Sequence, residues 1–320
     1  MTLMVELEHL AKSFGDFCAV DDISLNVSKG EVLGFLGPNG AGKTTTMRMI
    51  SGFLAPTSGT ARVCGHDVVT DATAVKSVIG YMPEGSPSYD EMSVGAFLKF
   101  IAEIRGFSGA DRDERVLRAA QRLDLTGVME RPIEVLSKGF RRRVGLAQSI
   151  LHDPPVLLLD EPTDGLDPNQ KHQVRQLIGE MAAEKAIIVS THILEEVEAV
   201  CTRAVIIGNG RVLADGTAAD LLAKLPDASA ICLVLPETAA EAATTYFRNH
   251  RAVGAIFETP AGHGRTRLRL TPKPEGLVLE DIAQLARAQN MPLIEIYQDG
   301  GNLDDVFRLI TTGAAARAAA

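Results

Sequence analysis

The stretch Gly37-Pro38-Asn39-Gly40-Ala41-Gly42-Lys43-Thr44 decides how the rest of this 320-residue chain is read. An apolar, β-prone run at 31–36 precedes it and a helix-like run at 45–50 follows. The spacing G-x-x-x-x-G-K-[ST] therefore stands in the strand-then-helix setting that gives it meaning. The spelling has a physical reason. Three glycines let the backbone curl until successive N–H groups point into one concavity, and the positive end of the following helix faces the same way. Such a nest holds a polyphosphate. Lys43 would set an ammonium against the β- and γ-phosphates, and Thr44 would offer a hydroxyl to Mg²⁺.

A second piece completes the chemistry. Val156-Leu157-Leu158-Leu159-Asp160-Glu161 is an apolar run, as a strand covered on both faces requires, and it ends in two acids. A buried strand would deliver Asp160 to the edge where the phosphate loop sits, to hold Mg²⁺ directly or through water. Glu161 comes next and points elsewhere, because successive strand residues alternate faces. It is then placed to accept a proton from, or to orient, a water attacking the γ-phosphate.

Composition bounds the rest. The chain is long enough for two domains. A net charge of −9 repels nucleic acid and anionic membrane surfaces, so the basic run Arg141-Arg142-Arg143 needs a local explanation: nucleotide, a second subunit or nearby acids. Cys18, Cys64, Cys201 and Cys232 are scattered without C-x-x-C spacing, which fits reduced thiols and no structural metal. No apolar run approaches the roughly 18–20 residues of a membrane-spanning helix, and residues 1–10 are too acidic for a signal peptide. The expectation is a soluble chain whose link to a membrane, if any, goes through a partner.

Strand-like runs at 5–10, 23–27, 31–36, 60–64, 78–82, 156–160, 186–190, 204–207 and 211–214 alternate with helical stretches at 43–51, 93–105, 111–123, 138–151, 168–184 and 194–201. Ser93 and the pair Asp167-Pro168 are helix-start signals. The pattern is an α/β domain with much parallel sheet over residues 1–225. Residues 226–313 read as a small α+β domain: strand 231–235, helix 237–249, strands 252–258 and 266–270 around a turn at 260–264, helix 276–288, strand 292–297 and helix 303–311. The alanine- and arginine-rich residues 314–320 read as a disordered tail.

Further motifs now carry a family likeness. Leu136-Ser137-Lys138-Gly139-Phe140 with 141–150 resembles the signature of ATP-binding-cassette (ABC) ATPases, Gly165-Leu166-Asp167-Pro168 resembles their D-loop, and Ser190-Thr191-His192 their switch histidine. Gly80-Tyr81-Met82-Pro83-Glu84 stands where their Q-loop would be, and Phe14 where an aromatic stacks on adenine. The likeness implies a P-loop NTPase domain with a RecA-like core, an antiparallel β subdomain and a helical signature subdomain. It further implies a homodimer sandwiching two ATP molecules. Each site would use one subunit's residues from Gly37 to Thr45 with Asp160, Glu161 and His192, and the other's Ser137 and Gly139; Asp167 would lie at the seam. His192 would hydrogen-bond the γ-phosphate or hold Glu161 and water in register. Closure on ATP and opening after hydrolysis would make a two-state switch.

Three residues depart from the family pattern. Lys138 replaces the signature's first glycine, Phe140 its glutamine, and Glu84 the Q-loop glutamine. A lysine near triphosphate is electrostatically favourable. Glu84 exchanges an amide that donates for a carboxylate that could ligate Mg²⁺ alongside Thr44 and Asp160. These substitutions resemble the branch serving type-2 exporters, including gliding-motility-like ATPases, as does the ending Asn302-Leu303-Asp304-Asp305-Val306-Phe307-Arg308-Leu309-Ile310-Thr311. The likeness implies an ATPase subunit of an exporter on the cytoplasmic face of the inner membrane. It would dock on separate integral membrane permease subunits through residues 85–106 and bind no nucleic acid. The rival reading, a soluble ABC ATPase acting on ribosomes or DNA, would call for tandem cassettes or coiled-coil insertions. A non-hydrolysing cassette is disfavoured by Glu161 and His192.

Overall fold

The computed structural model describes residues 2–85, 88–225, 229–273 and 278–318, with side chains through Thr311. It divides into two compact units, Met1–Ala218 and Ala219–Gly313. This places the division seven residues before the expected 225/226 step, and Pro226 lies outside the described residues.

The first unit opens with a hairpin of β1 (Leu3–Phe14) and β2 (Phe17–Ser28), followed by β3 (Val32–Leu36) and α1 (Lys43–Ile50). Next come β4 (Ser58–Val63), β5 (His66–Asp67), α2 (Ala72–Val78), β6 (Ile79–Met82), α3 (Val94–Ile104), α4 (Gly109–Arg122) and α5 (Lys138–Ile150). It continues with β7 (Val156–Asp160), α6 (Pro168–Ala182), β8 (Ala186–Thr191), α7 (Leu194–Val200), β9 (Arg203–Gly208) and β10 (Arg211–Gly216); the short α8 (Ala218–Leu222) begins at the division.

Two sheets result, in the orders β2-β1-β4-β5 and β10-β9-β3-β8-β7-β6. The first is antiparallel; the second is parallel apart from its β10 edge. The apolar β7 is explained by alternation. Val156 and Leu158 face a core shared with the antiparallel sheet and α1, while Leu157 and Leu159 face a second core built with α3, α4, α5 and α6. Both sides of the central strands are therefore dry, and any polar group they carry must sit at their ends.

The sequence reading stops β1 at residue 10 and starts β2 at 23, but the hairpin is longer. Register shifts between Leu7 and Leu10 coincide with left-handed backbone at His9 (φ 49°), and Asp22 opposite is also left-handed (φ 61°). Such bulges break the period-2 signal that marks a strand. Nothing in the sequence marks helix α2, because its seven residues bury only Val75, too little to show a period. The strand expected at 78–82 correspondingly begins at Ile79.

In the second unit β11 (Ala230–Pro236), α9 (Glu237–Arg248), β12 (Val253–Pro260), β13 (Arg265–Pro272), α10 (Leu279–Ala288), β14 (Glu295–Asp299) and α11 (Leu303–Ala318) follow one another. The sheet order β12-β13-β11-β14 is antiparallel throughout, which is a double split β-α-β, the ferredoxin-like arrangement. Ile231, Leu233 and Leu235 of β11 pack with Ala240, Ala243 and Phe247 of α9 and Ile282 and Ala286 of α10. Asn302 caps α11: its Oδ1 accepts from Asp305 N at 2.9 Å, and Asp305 Oδ2 accepts from Asn302 N at 3.4 Å. The helix runs on to Ala318 where a disordered tail is expected from 314, because an alanine-rich run has the strongest intrinsic helix preference.

Candidate active site

Strand register brings the motifs together. In the parallel sheet Leu36 lies beside Thr191, Asp160 beside Ser190, and Met82 beside Leu159. The segments that follow these strands, carrying 37–44, Glu161, His192 and Glu84, therefore emerge at one carboxyl edge, where open parallel sheets bind ligands. They are separated by up to 155 positions in sequence, and only the sheet order makes them neighbours (His192 minus Gly37).

The phosphate loop is shaped by contacts that exclude side chains. Gly42 has φ 105°, and a Cβ there would stand 2.6 Å from the Ala19 carbonyl oxygen, so the entry to α1 requires glycine. No side chain caps α1, which leaves its first N–H groups for the concavity. Lys43 is buried; its Nζ donates to Gly37 O at 2.6 Å and Pro38 O at 3.1 Å. Burial lowers its pKa from the ordinary lysine value, and the charges of Glu161, Asp160 and Glu84 oppose that shift.

Asp160 is 1% exposed. Its Oδ1 accepts from the Ser190 hydroxyl, whereas Oδ2 is buried without a partner among the described residues. An orphaned carboxylate oxygen beside a phosphate loop fits a hard cation, for which Thr44 would supply a hydroxyl and Glu84 a further carboxylate.

Glu161 follows in left-handed backbone (φ 52°), held by its own N–H donating to Ser190 O at 3.1 Å. That turn swings the side chain off the strand line, a strained conformation of the kind that clusters at functional sites. Both Glu161 oxygens lie close to His192 Nδ1, at 3.0 and 3.1 Å. Burial raises the Glu161 pKa, and the His192 contact partly offsets the rise. The result is a carboxylate with more proton affinity than a surface one, held from one side by an imidazole that is itself exposed. Such a carboxylate has the chemistry a general base requires.

Ser137 and Gly139 stand at the start of α5, away from this cluster in sequence. The Ser137 hydroxyl caps the helix, accepting from Phe140 N at 3.3 Å, and Gly139 is buried. A Cβ at Gly139 would come within 2.5 Å of Gln170 Oε1, so glycine lets α5 meet the start of α6. Asp167 caps α6 by accepting from Gln170 N at 2.9 Å and is exposed, as are Ser137 and Lys138. Lys138 has a partner within its own chain: its Nζ is 2.8 Å from Asp164 Oδ2, and the same oxygen lies 3.4 Å from Arg142 Nη2. The basic run divides likewise. Arg142 and Arg143 are buried, and Arg143 donates to Gln173 Oε1 at 2.8 Å and Asp124 Oδ2 at 3.3 Å.

Glu84 is exposed and, with Arg48, Lys138, Arg141 and Asp164, lines a cleft of about 510 Å³. Phe14 sits at the tip of the β1–β2 hairpin, 51% exposed, with Lys12 Nζ 5.3 Å from its ring centre. Core packing, the plain alternative to an adenine shelf, is therefore not its role. The sequence reading missed Asp164, Thr163, Lys171 and Glu196, which join these loops to one another; nothing local distinguishes Glu196 from Glu195 or Glu198 in the same helix.

The phosphate loop, the acid-tipped strand and the signature helix define the nucleotide-binding cassette of a P-loop NTPase. The sequence profile of the family described as "ABC transporter" matches residues 20–164. The "Nod factor export ATP-binding protein I" of Ralstonia nicotianae is 30% identical over 315 residues, covering 97% of this chain and 94% of that one. The "Probable multidrug ABC transporter ATP-binding protein YbhF" of Escherichia coli is 36% identical over 222 residues, 69% of this chain; the match spans only 38% of that longer relative. A solved structure titled "Structure of ATP binding subunit of ABC transporter" superposes with a TM-score of 0.65 at 30% identity, covering 69% of this chain and 92% of that one. The chain belongs to the ABC transporter ATP-binding protein family.

Proposed function

We propose that this chain is the ATP-binding and ATP-hydrolysing subunit of an exporter, working as a homodimer on the cytoplasmic face of the inner membrane with separately encoded permease subunits. The observation that carries the reading is Glu161: buried, raised in proton affinity and held at 3.0 and 3.1 Å by His192, at the sheet edge that also bears the phosphate loop. Among the described residues no helix is long and apolar enough to cross a membrane, so permeation is assigned to other chains. The names of the relatives, which concern export and multidrug transport, support the direction.

In this reading the loop N–H groups and Lys43 bind the phosphates, and Phe14 stacks on the base. Mg²⁺, held by Thr44 and Asp160 with Glu84 nearby, would neutralise charge on the phosphate oxygens. Glu161 orients a water and takes its proton, and His192 keeps the carboxylate aimed. Ser137 and the Gly139 N–H, at the start of α5, serve the phosphates bound by a second copy, with Asp167 at the seam. Pairing of Arg142 and Arg143 inside the domain removes much of the charge a nucleic acid would need.

Glu161→Gln tests the reading. The substitution keeps shape and removes the base, so turnover should fall by about 10²–10⁴ while ATP binding persists. With Mg²⁺ and ATP the variant should elute from size-exclusion chromatography as a dimer. Turnover at the parental rate would remove Glu161 from its role. Pull-down from detergent-solubilised membranes should recover a multi-span protein, and ribosomal or DNA recovery would refute the exporter assignment.

A further inference from the structure

Helix α7 carries a carboxylate that the mechanism above does not use. Glu196 is 4% exposed, flanked by the buried Leu194 and Val197. Its Oε1 accepts from the Thr163 hydroxyl, and its Oε2 accepts from the Thr191 hydroxyl at 2.9 Å. Lys171 Nζ, from α6, stands 3.5 Å from Oε1 and supplies the compensating charge. A buried carboxylate with both oxygens engaged and a cation beside it is a rigid junction, because breaking any one contact strands a desolvated polar group.

What it joins matters. Thr163 is two residues beyond Glu161, and Thr191 immediately precedes His192. The Thr191 hydroxyl also accepts from Ile193 N at 3.0 Å, fixing the turn that carries the imidazole. One carboxylate therefore clamps the segment bearing the base to the segment bearing the histidine that aims it. The two segments end neighbouring parallel strands, β7 and β8, and past those ends Glu161 N to Ser190 O is the one backbone bond between them among the described residues.

We infer that Glu196 is a positioning residue for hydrolysis: by bridging Thr163 and Thr191 it sets the Glu161–His192 distance and thereby the aim of the base. The inference rests on the proposed roles of Glu161 and His192. Glu196→Gln keeps the volume but removes the charge that faces Lys171 and turns one acceptor into a donor, so one threonine hydroxyl must turn from donating to accepting and the bridge loses its charge assistance. Misplacement of a catalytic group by a fraction of an ångström is costly in turnover and cheap in binding.

The test is a double-mutant cycle with His192→Ala on the full chain, reading ATPase kcat and KM and the affinity for a fluorescent ATP analogue. Glu196→Gln should lower kcat about tenfold with KM and analogue affinity within about twofold of the parent. In the His192→Ala background it should lower kcat less than about twofold, since the aim it sets is already lost. Thr191→Val, which removes one donor and leaves the carboxylate intact, serves if Glu196→Gln does not fold, and the same non-additivity is expected of it with Thr163→Val. Parental kcat in Glu196→Gln, or an equal fold-loss in both backgrounds, would overturn the inference. If Glu161→Gln and His192→Ala themselves keep parental turnover, the underlying assignment fails instead, and the two failures are told apart.

Discussion

Protonation of His152 should cost the folded first unit stability in acid. Its Nε2 lies 3.0 Å from Ile79 O, and since a carbonyl only accepts, the proton sits on Nε2. Nδ1 is then a bare lone pair, buried with no partner among the described residues. Adding a proton there would create a cation with an unmatched donor. Burial, then the charge of Arg105, pushes the pKa down from 6.5 to about 4, with Lys185 adding to the shift and the Ile79 bond and Asp153 opposing it. The unfolded chain takes up its proton as pH falls through 6.5, whereas the folded chain waits until about 4. Stability from the neutral ring is therefore whole above 6.5 and drains as pH falls towards about 4. At about 1.4 kcal/mol per unit, the loss is roughly 3 kcal/mol overall, of which about 2 kcal/mol falls between about pH 7.5 and pH 5. His152→Gln retains a donor to Ile79 O and cannot titrate. Urea unfolding of both proteins across that range should show the parent losing about 2 kcal/mol relative to the variant on acidification, other titrations cancelling in the comparison. Parallel pH profiles would refute the reasoning.

Two further substitutions probe the nucleotide site. Lys43→Ala deletes a buried ammonium whose charge-assisted bonds would face the phosphates, so ATP affinity should fall about 10²-fold or more in equilibrium binding; unchanged affinity would refute the phosphate-loop assignment. Glu84→Gln removes a carboxylate whose field reaches Lys43, and the Mg²⁺ concentration needed for half-maximal ATPase activity should rise; an unaltered rate and Mg²⁺ dependence would place that side chain outside the metal site.

Legibility followed the range of the interactions. The phosphate loop was readable because glycine, lysine and threonine encode their local geometry; the left-handed Gly42 is a property of one residue and its neighbours. The helix caps at Ser93 and Asp167 span three residues each and were equally plain. The bulged hairpin was half-read, since His9 and Asp22 shift the alternation without any turn residue to announce it. The pairing of Lys138 with Asp164 was not legible for a different reason: that carboxylate is 26 positions away and only folding delivers it. Glu196 was invisible because its partners lie 33 and 5 positions away on two other segments.

By itself the sequence determined that this is an α/β nucleotide-binding chain with a second, smaller α+β unit, because apolar periodicity and short-range glycine, acid and cap patterns depend on backbone torsions and nearest neighbours. The tertiary structure decided which strands lie side by side, and through them that Asp160 keeps one oxygen unpaired, that Glu161 meets His192, and that β11 lies between β13 and β14. Those facts are set by the packing of two dry sheet faces and by strand register, which pair residues far apart in the chain and leave no local trace.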